Sequence, residues 1–363
     1  MSQMPTFSYC VSLGTQLSRA PRTQRFCSFV KRVLVTSVVG LNACTGPALI
    51  QESTAWPDNF PAYDHIVIVI EENKDWNQVI GRNDVAPYLN GVLAEQGASL
   101  NRMYGEEHHS QGNYFWLFSG SNQGVGFRDA VPPAKLNASN LAQQLIAAGK
   151  TFKGYSESLP QRGYEGVQYE HYYRKHAPWI SFGNIPTGDQ DNTVNVPFRD
   201  FPADYNALPT VSFVIPNVQN DMHDVHDIGV NASIRKGDDW LKQNLSGYYE
   251  WAKSHNSLLV VTFDENNHEE YAGLTDPAAS VQGWRNQVAT IIAGAHVKAG
   301  YRSDARVTHV NILRTIEAMH RLGKSGKQQA NAVNAGISDD FLITDVFKPD
   351  PNPKKTPGAA IRQ

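Results

Sequence analysis

His65-Ile-Val-Ile-Val-Ile-Glu-Glu-Asn73 is the stretch that decides the fold. Ile66 to Ile70 are consecutive β-branched apolar residues with no polar residue between them. Such a run predicts a strand covered on both faces, as in the interior of a parallel sheet. It then stops in two acids and an amide. In open parallel sheets ligands bind beyond the carboxyl ends of the strands, so Glu71, Glu72 and Asn73 mark a candidate site.

Two other apolar runs end the same way. Val211–Ile215 leads through Asn217 to Asp221-Met-His223-Asp224, and Ser257–Phe263 leads into Asp264-Glu265-Asn266-Asn267-His268. One acidic pair after a strand is ordinarily a solvated loop. Three such clusters at equivalent strand ends point to a metal or phosphate site. Carboxylate oxygens mixed with imidazoles suit Zn, Mn, Mg or Ca.

Around these runs, Phe152–Tyr155 reads as a short strand and Val288–Ala293 as a longer one. Helical spacing covers Val85–Gln96, Leu141–Ala148, Asp238–His255 and His309–Leu322. Strands alternating with helices predict an α/β layered domain with a central, mostly parallel sheet flanked by helices. Pro160–Asp204 is rich in Tyr, Gly, Pro and Asn and lacks periodicity. It is expected to be a functional excursion over the active-site face.

The loop Glu107-His-His-Ser110-Gln-Gly-Asn113 precedes the apolar Tyr114–Phe118. A serine opening a helix can be a nucleophile whose alkoxide the helix dipole and a cation stabilise, or simply an N-cap. Spacing leaves both open.

With 363 residues, 41% hydrophobic and 18% charged, the chain has enough apolar material for one large core. Net charge is −3 and no basic block runs through the body, so nucleic acid is not an expected partner. Cys10, Cys27 and Cys44 are the three cysteines, which leaves the body without an internal disulfide or thiolate metal site. Lys31-Arg32 followed by Val33–Leu41 has the order of a secretory signal, too short to span a bilayer. Leu41-Asn-Ala-Cys44 resembles a lipobox, which implies an exported protein held at a membrane through lipidated Cys44. The expected organisation is a leader over 1–44, a linker over 45–62, a catalytic domain over 63–348 and a loose tail over 349–363.

Ordered motifs from Tyr63 to Gly323 resemble the bacterial and fungal phosphoesterase family. That family holds secreted acid phosphatases and phospholipases C, and is related to the alkaline-phosphatase superfamily. They are His65–Asn73, His108-His-Ser110-Gln-Gly-Asn113-Tyr114, Tyr155–Pro160, Tyr173-Arg-Lys-His176, Asn220–Asp224, Thr262–Glu265 and His309 with Leu313–Glu317. Two prolines usual around the serine are replaced here.

The resemblance implies an alkaline-phosphatase-like fold and a metal-dependent phosphomonoesterase acting on a phosphorylated small molecule. Ser110 would be the nucleophile, and Asn113 and His108 would contact phosphate. Glu72, Asn73, Asp264 and Glu265 would hold a divalent metal, with Asp221, His223 and Asp224 as further ligands or their supports. Lys175 and His176 would contact the phosphate or leaving group. His309 would be a ligand or proton donor. Glu71 and Glu72 could exchange places. A phosphodiesterase or phospholipase C, in which Tyr164, Tyr169, Tyr172, Tyr173 and Trp179 box a second substituent, is the alternative within the family. A non-catalytic surface-binding protein on the same fold is the alternative from another class. A serine carboxylesterase has no Gly-x-Ser-x-Gly elbow to support it.

Overall fold

The computed structural model describes residues 55–125, 129–223, 228–267 and 286–350. The leader, the three cysteines, Asp224, His268 and the tail beyond 350 lie outside the described residues.

β1 (His65–Glu71) forms the middle of the sheet. After it come β2 (Ala98–Leu100), β3 (Met103–Tyr104), β4 (Phe152–Ser156) and the short β5 (Gln168–Tyr169) and β6 (Tyr172–Tyr173). β7 (Asn195–Pro197), β8 (Val211–Ile215), β9 (Ser257–Phe263), β10 (Thr290–Gly294), β11 (Tyr301–Ser303) and β12 (Val307–Thr308) complete the strands. Eight of them make one sheet in the order β11-β2-β10-β9-β1-β8-β4-β7. β1 runs parallel to both β8 and β9, and β4 parallel to β8 and β7. Every residue of β8 and β9 is buried, as unbroken apolar runs require of strands covered on both faces.

β10 departs from the parallel plan, pairing antiparallel with β9 and β2. The aperiodic excursion supplies the edge strand β7, whose three residues are too few to show alternation. The stretch expected to be a linker does not remain one to its end. Trp56 packs on Phe60 and Phe347, and Tyr63 also meets Phe347.

The helices are α1 (Trp76–Val79), α2 (Ser110–Ser119), α3 (Leu141–Ala147), α4 (Val230–Ala252), α5 (His309–Met319) and α6 (Ala330–Asn334). A wide-turned helical segment covers Leu89–Ala94. α4 begins at Val230 rather than Asp238, because Ile234 is the one buried large apolar residue in its first two turns and too little of an apolar stripe precedes Trp240. All ten residues of α2 are buried, so it runs through the core with Ser110 at its start. Gly154 on β4 has a packing purpose. A Cβ there would lie 2.2 Å from the Trp179 indole, which instead crosses the strand and donates to Asn195 Oδ1 at 3.0 Å. Trp179 thereby anchors the turns that carry Lys175 and His176 to the sheet.

Candidate active site

At the end of β1 the chain turns through Asn73, which has φ +44. The two acids before it diverge. Glu72 Oε2 accepts a hydrogen bond from Ser110 Oγ at 3.0 Å, and Oε1 accepts one from the Tyr114 hydroxyl at 2.5 Å. His176 Nε2 lies 3.2 Å from the same Oε1. Neither carboxylate oxygen of buried Glu71 has a hydrogen-bond partner among the described residues. Geometry therefore separates the pair that sequence left interchangeable, since Glu72 is the one that reaches the serine.

β8 and β9 deliver the remaining acids. Glu72 N donates to Asp221 O at 2.8 Å, and Asp264 N donates to Glu71 O at 3.0 Å, so the three strand ends are stitched together through the backbone. Asp264 Oδ1 accepts from the backbone amides of Asn73 and Glu265. Asp221 Oδ1 accepts from His223 N. The other oxygen of each, Asp264 Oδ2 and Asp221 Oδ2, is buried and without a hydrogen-bond partner. Ligand atoms of Glu72, His176 and Asp221 all lie within 4.8 Å of one another.

Electrostatics mark the same place. Burial raises the Glu72 carboxyl to about 7, against the opposing pull of Lys175 and the Tyr114 and Ser110 hydrogen bonds. Burial, then repulsion from Glu72, raises Asp221 and Asp264 well above the ordinary carboxylate range. Burial, then Asp264, does the same to Glu265. Burial, with Lys175 and His223 adding to it, keeps His176 neutral by lowering its pKa. Carboxylates crowded beyond what Lys74 and Lys175 offset, with partnerless oxygens and a neutral imidazole beside them, fit a divalent cation of the hard or borderline kind. Glu72, Asp221 and His176 would hold it, with Asp264 beside them.

The loop before Ser110 is built differently. His109 adopts φ +73 immediately before Ser110. Glu265 Oε2 holds that conformation by accepting from His109 N at 2.9 Å and contacting His108 Nδ1 at 2.8 Å. Asn113 Oδ1 accepts from the amides of Glu106 and Glu107, and Asn113 Nδ2 donates to Glu107 O. Gly112 leaves room for the buried Glu107, whose Oε1 would sit 1.6 Å from a Cβ at that position.

Several expectations change accordingly. Asn113, His108 and Glu265, expected on phosphate or metal, make these contacts around the loop. His309 opens α5 with Nδ1 2.7 Å from Glu106 Oε2 and Nε2 2.8 Å from Phe263 O. Both ring nitrogens of His309, expected as a ligand or proton donor, are thus engaged within the protein. His176, expected at the phosphate, stands among the ligand atoms instead. Lys175 is ion-paired at 2.7 Å with Asp129, outside the ligand cluster. Trp179 is fully buried and Tyr164 packs edge-on to Tyr169 and Tyr172.

Three site residues went unassigned in the sequence. Tyr114 stacks on His176 at 5.2 Å while donating to Glu72. Buried Lys74 donates to Asn73 O, and burial lowers it to about 8 against the pull of Asp221, Glu72 and Asp264. Asp129 lies in a stretch with no periodic pattern. Tyr114 could have been found, since it directly follows the Ser110–Asn113 motif; the other two carry no local signal.

Comparison with known proteins agrees with this geometry. The chain is 41% identical over 268 residues to a phosphatidylinositol-3-phosphatase of Mycobacterium tuberculosis, covering 73% of this chain and 80% of that protein. It is 27% identical to a probable acid phosphatase of Kluyveromyces lactis, covering 75% of this chain and 61% of that one. The chain thus spans most of the mycobacterial relative and about three fifths of the yeast one. A solved alkaline phosphatase superfamily protein from Vibrio parahaemolyticus superposes with a TM-score of 0.50 at 11% identity, covering 73% of this chain and 69% of that structure, which establishes the fold. The Phosphoesterase family matches residues 82–323, more than half of the chain and inclusive of the loop before Ser110 and the β8 and β9 ends. This chain belongs to the Phosphoesterase family and is a phosphoric ester hydrolase built on the alkaline-phosphatase fold.

Proposed function

We propose that the protein is a metal-dependent phosphomonoesterase in which Ser110 attacks phosphorus and forms a phosphoseryl intermediate. The observation that carries this reading is the convergence on Glu72. One of its oxygens holds the Ser110 hydroxyl and the other adjoins His176, within the ligand cluster completed by Asp221.

A bound divalent ion would neutralise phosphoryl charge and favour the serine alkoxide. The chain's own groups do the rest. Glu72 Oε2 accepts the Ser110 hydroxyl proton, and the start of α2 directs its amides toward the developing anion. Tyr114, stacked on His176 and bonded to Glu72, keeps both in register. Asn113 and Glu265 hold the strained loop so that Oγ stays in line with phosphorus. As the Ser110 Oγ–P bond forms, the P–O bond to the alcohol breaks and the alcohol leaves taking up a proton; water then displaces Ser110 Oγ in line, which regains a proton as phosphate is released. Positioning and charge stabilisation carry such a reaction, since phosphoryl transfer asks little covalent work of the protein.

Monoesters are proposed because the two relatives named above are a phosphatidylinositol-3-phosphatase and a probable acid phosphatase, and because Lys175 supplies an additional cation beside the site. The substrate class proposed is a phosphorylated small molecule, with no nucleic-acid partner. Export with lipidation at Cys44 remains part of this reading. Among the described residues no helix is long and apolar enough to cross a membrane. The test is metal analysis of purified protein combined with p-nitrophenyl phosphate and bis-p-nitrophenyl phosphate assays, before and after chelation. Turnover of the monoester that chelation removes and a divalent ion restores is the expected result. Full activity after exhaustive demetallation would overturn the metal assignment.

A further inference from the structure

Asp129 occupies an unusual position for an acid. Its Oδ1 accepts from the backbone amide of Gln111, the residue after Ser110, at 3.1 Å. Its Oδ2 accepts from Lys175 Nζ at 2.7 Å. The carboxylate lies within electrostatic reach of Glu72 and Glu265, so it adds negative charge to a site already crowded with acids. The side chains of Asp129 and Lys175 are 26% and 23% exposed, which leaves the pair open to solvent and to substrate.

The donors that hold this carboxylate are of the kind that hold phosphate. A helix-start amide and an ammonium recognise any compact oxyanion, and a carboxylate offers them the same oxygen geometry in reduced form. Covalent reach makes the coincidence specific. A phosphoryl group on Ser110 Oγ has its non-bridging oxygens within the span of the next amide in the same helical turn. That amide is Gln111 N, and it already carries Asp129. Two anions cannot share one donor in a partly buried site without strong mutual repulsion.

We propose that Gln111 N and Lys175 Nζ form a subsite for a non-bridging phosphoryl oxygen, and that Asp129 fills it as an internal stand-in that phosphate must displace. Asp129 then sets phosphate affinity: it keeps Lys175 and the start of α2 preorganised in the free enzyme, and it weakens retention of the product by competing with it. This rests on Ser110 being the phosphoryl acceptor.

The test is direct binding of inorganic phosphate by calorimetry to the full chain supplied with divalent metal, for wild type, Asp129→Asn and Asp129→Ala, alongside steady-state turnover of p-nitrophenyl phosphate. Asp129→Asn conserves shape and removes the charge; Asp129→Ala removes the competitor altogether. Both should bind phosphate about five- to tenfold more tightly than wild type, the effect expected of one removed like-charge contact, with KM falling in parallel. Unchanged or weaker phosphate binding in a folded, active variant would overturn the inference and leave Asp129 as a support for Lys175. Failure of every variant and of wild type to turn over the monoester would instead condemn the phosphatase reading, since binding is measured without turnover.

Discussion

The loop before α2 and the strand ends of β1, β8 and β9 are adjacent, equally buried and equally polar, yet they are satisfied to very different degrees. Around the loop, Asn113 from α2, Glu106 and, reaching across from the end of β9, Glu265 each take two or more hydrogen bonds from backbone or imidazole, and His309 at the start of α5 has a partner on both nitrogens. At the strand ends, Asp221 Oδ2, Asp264 Oδ2 and both Glu71 oxygens have no hydrogen-bond partner. Buried polar groups are nearly always paired, so a cluster that is not is either strained or awaiting a ligand. The contrast divides residues of identical chemistry by role. On the reading proposed above, the acids and histidines around the loop hold shape and the strand-end acids hold charge for a cation.

Ser110 sits on the boundary between the two regions and should show the largest effect. Ser110→Ala is expected to cut turnover by at least about 10³-fold while leaving the protein folded, because the hydroxyl donates one hydrogen bond, to Glu72 Oε2, and Tyr114 still holds the other Glu72 oxygen. Near-normal turnover in that variant would remove the serine from the chemistry and blur the division.

Asp264→Asn tests the strand ends. Metal affinity should fall by about 10- to 100-fold, together with activity. Without metal the same region has a pH signature with a definite sign. Glu72 is raised to about 7 when folded, and Asp221 and Asp264 are also raised. A carboxyl raised by folding retains its proton in the native state over a range where the unfolded chain has lost it. The unfolded state then binds fewer protons, and stability falls with rising pH. The chelated protein should therefore be most stable below the unfolded carboxylate range near pH 4 and lose stability progressively to about pH 7. A bound cation should flatten that slope. A chelated protein whose melting temperature rises across this window would contradict the crowding of uncompensated acids.

His309→Gln probes the satisfied region. Removing one partner of the buried pair with Glu106 should cost about 3–5 kcal/mol of stability, read as a lowered melting temperature. The folded fraction should keep its metal content. Loss of metal at unchanged stability would restore His309 as a ligand.

The sequence showed the first of these regions poorly and the second well. Unbroken apolar runs ending in acids carry their own signal, because the strand fixes where the next residue emerges, and β1, β8 and β9 stand where the runs predicted. Short edge strands such as β7 and β11 carry no periodicity and were invisible. The division of roles was invisible too, for a physical reason. Whether a carboxylate is paired depends on backbone amides brought from far along the chain, as when His109 N meets Glu265 across 156 positions. Residue type at a motif position cannot report that, so Asn113 and His309 looked like ligands. Asp129, the partner of Lys175, lies 46 residues before it in a stretch without pattern.

The smallest effect expected belongs to Lys175, which stands at the edge of both regions. Its charge is favoured in place despite burial, because Glu72 and Asp129 outweigh the desolvation that opposes it. Glu72 and Ser110 serve a monoester and a diester alike, so they do not discriminate. A monoester near neutral pH presents three terminal oxygens and up to two negative charges, whereas a diester presents two oxygens and one charge. The additional oxygen needs a donor where a diester would carry its second substituent. Lys175 is quarter-exposed and one residue from His176, which places its ammonium beside the ligand cluster without belonging to it. Lys175→Met keeps the packing of the aliphatic stem and removes the charge. Loss of one charge-assisted contact is worth roughly 1.5–3 kcal/mol, or about tenfold in selectivity or somewhat more. The preference for p-nitrophenyl phosphate over bis-p-nitrophenyl phosphate, measured as the ratio of kcat/KM values, should fall by that factor through the monoester alone. A ratio that does not move would mean that Lys175 answers only to Asp129. Monoester selectivity would then have to come from the strand-end cluster itself.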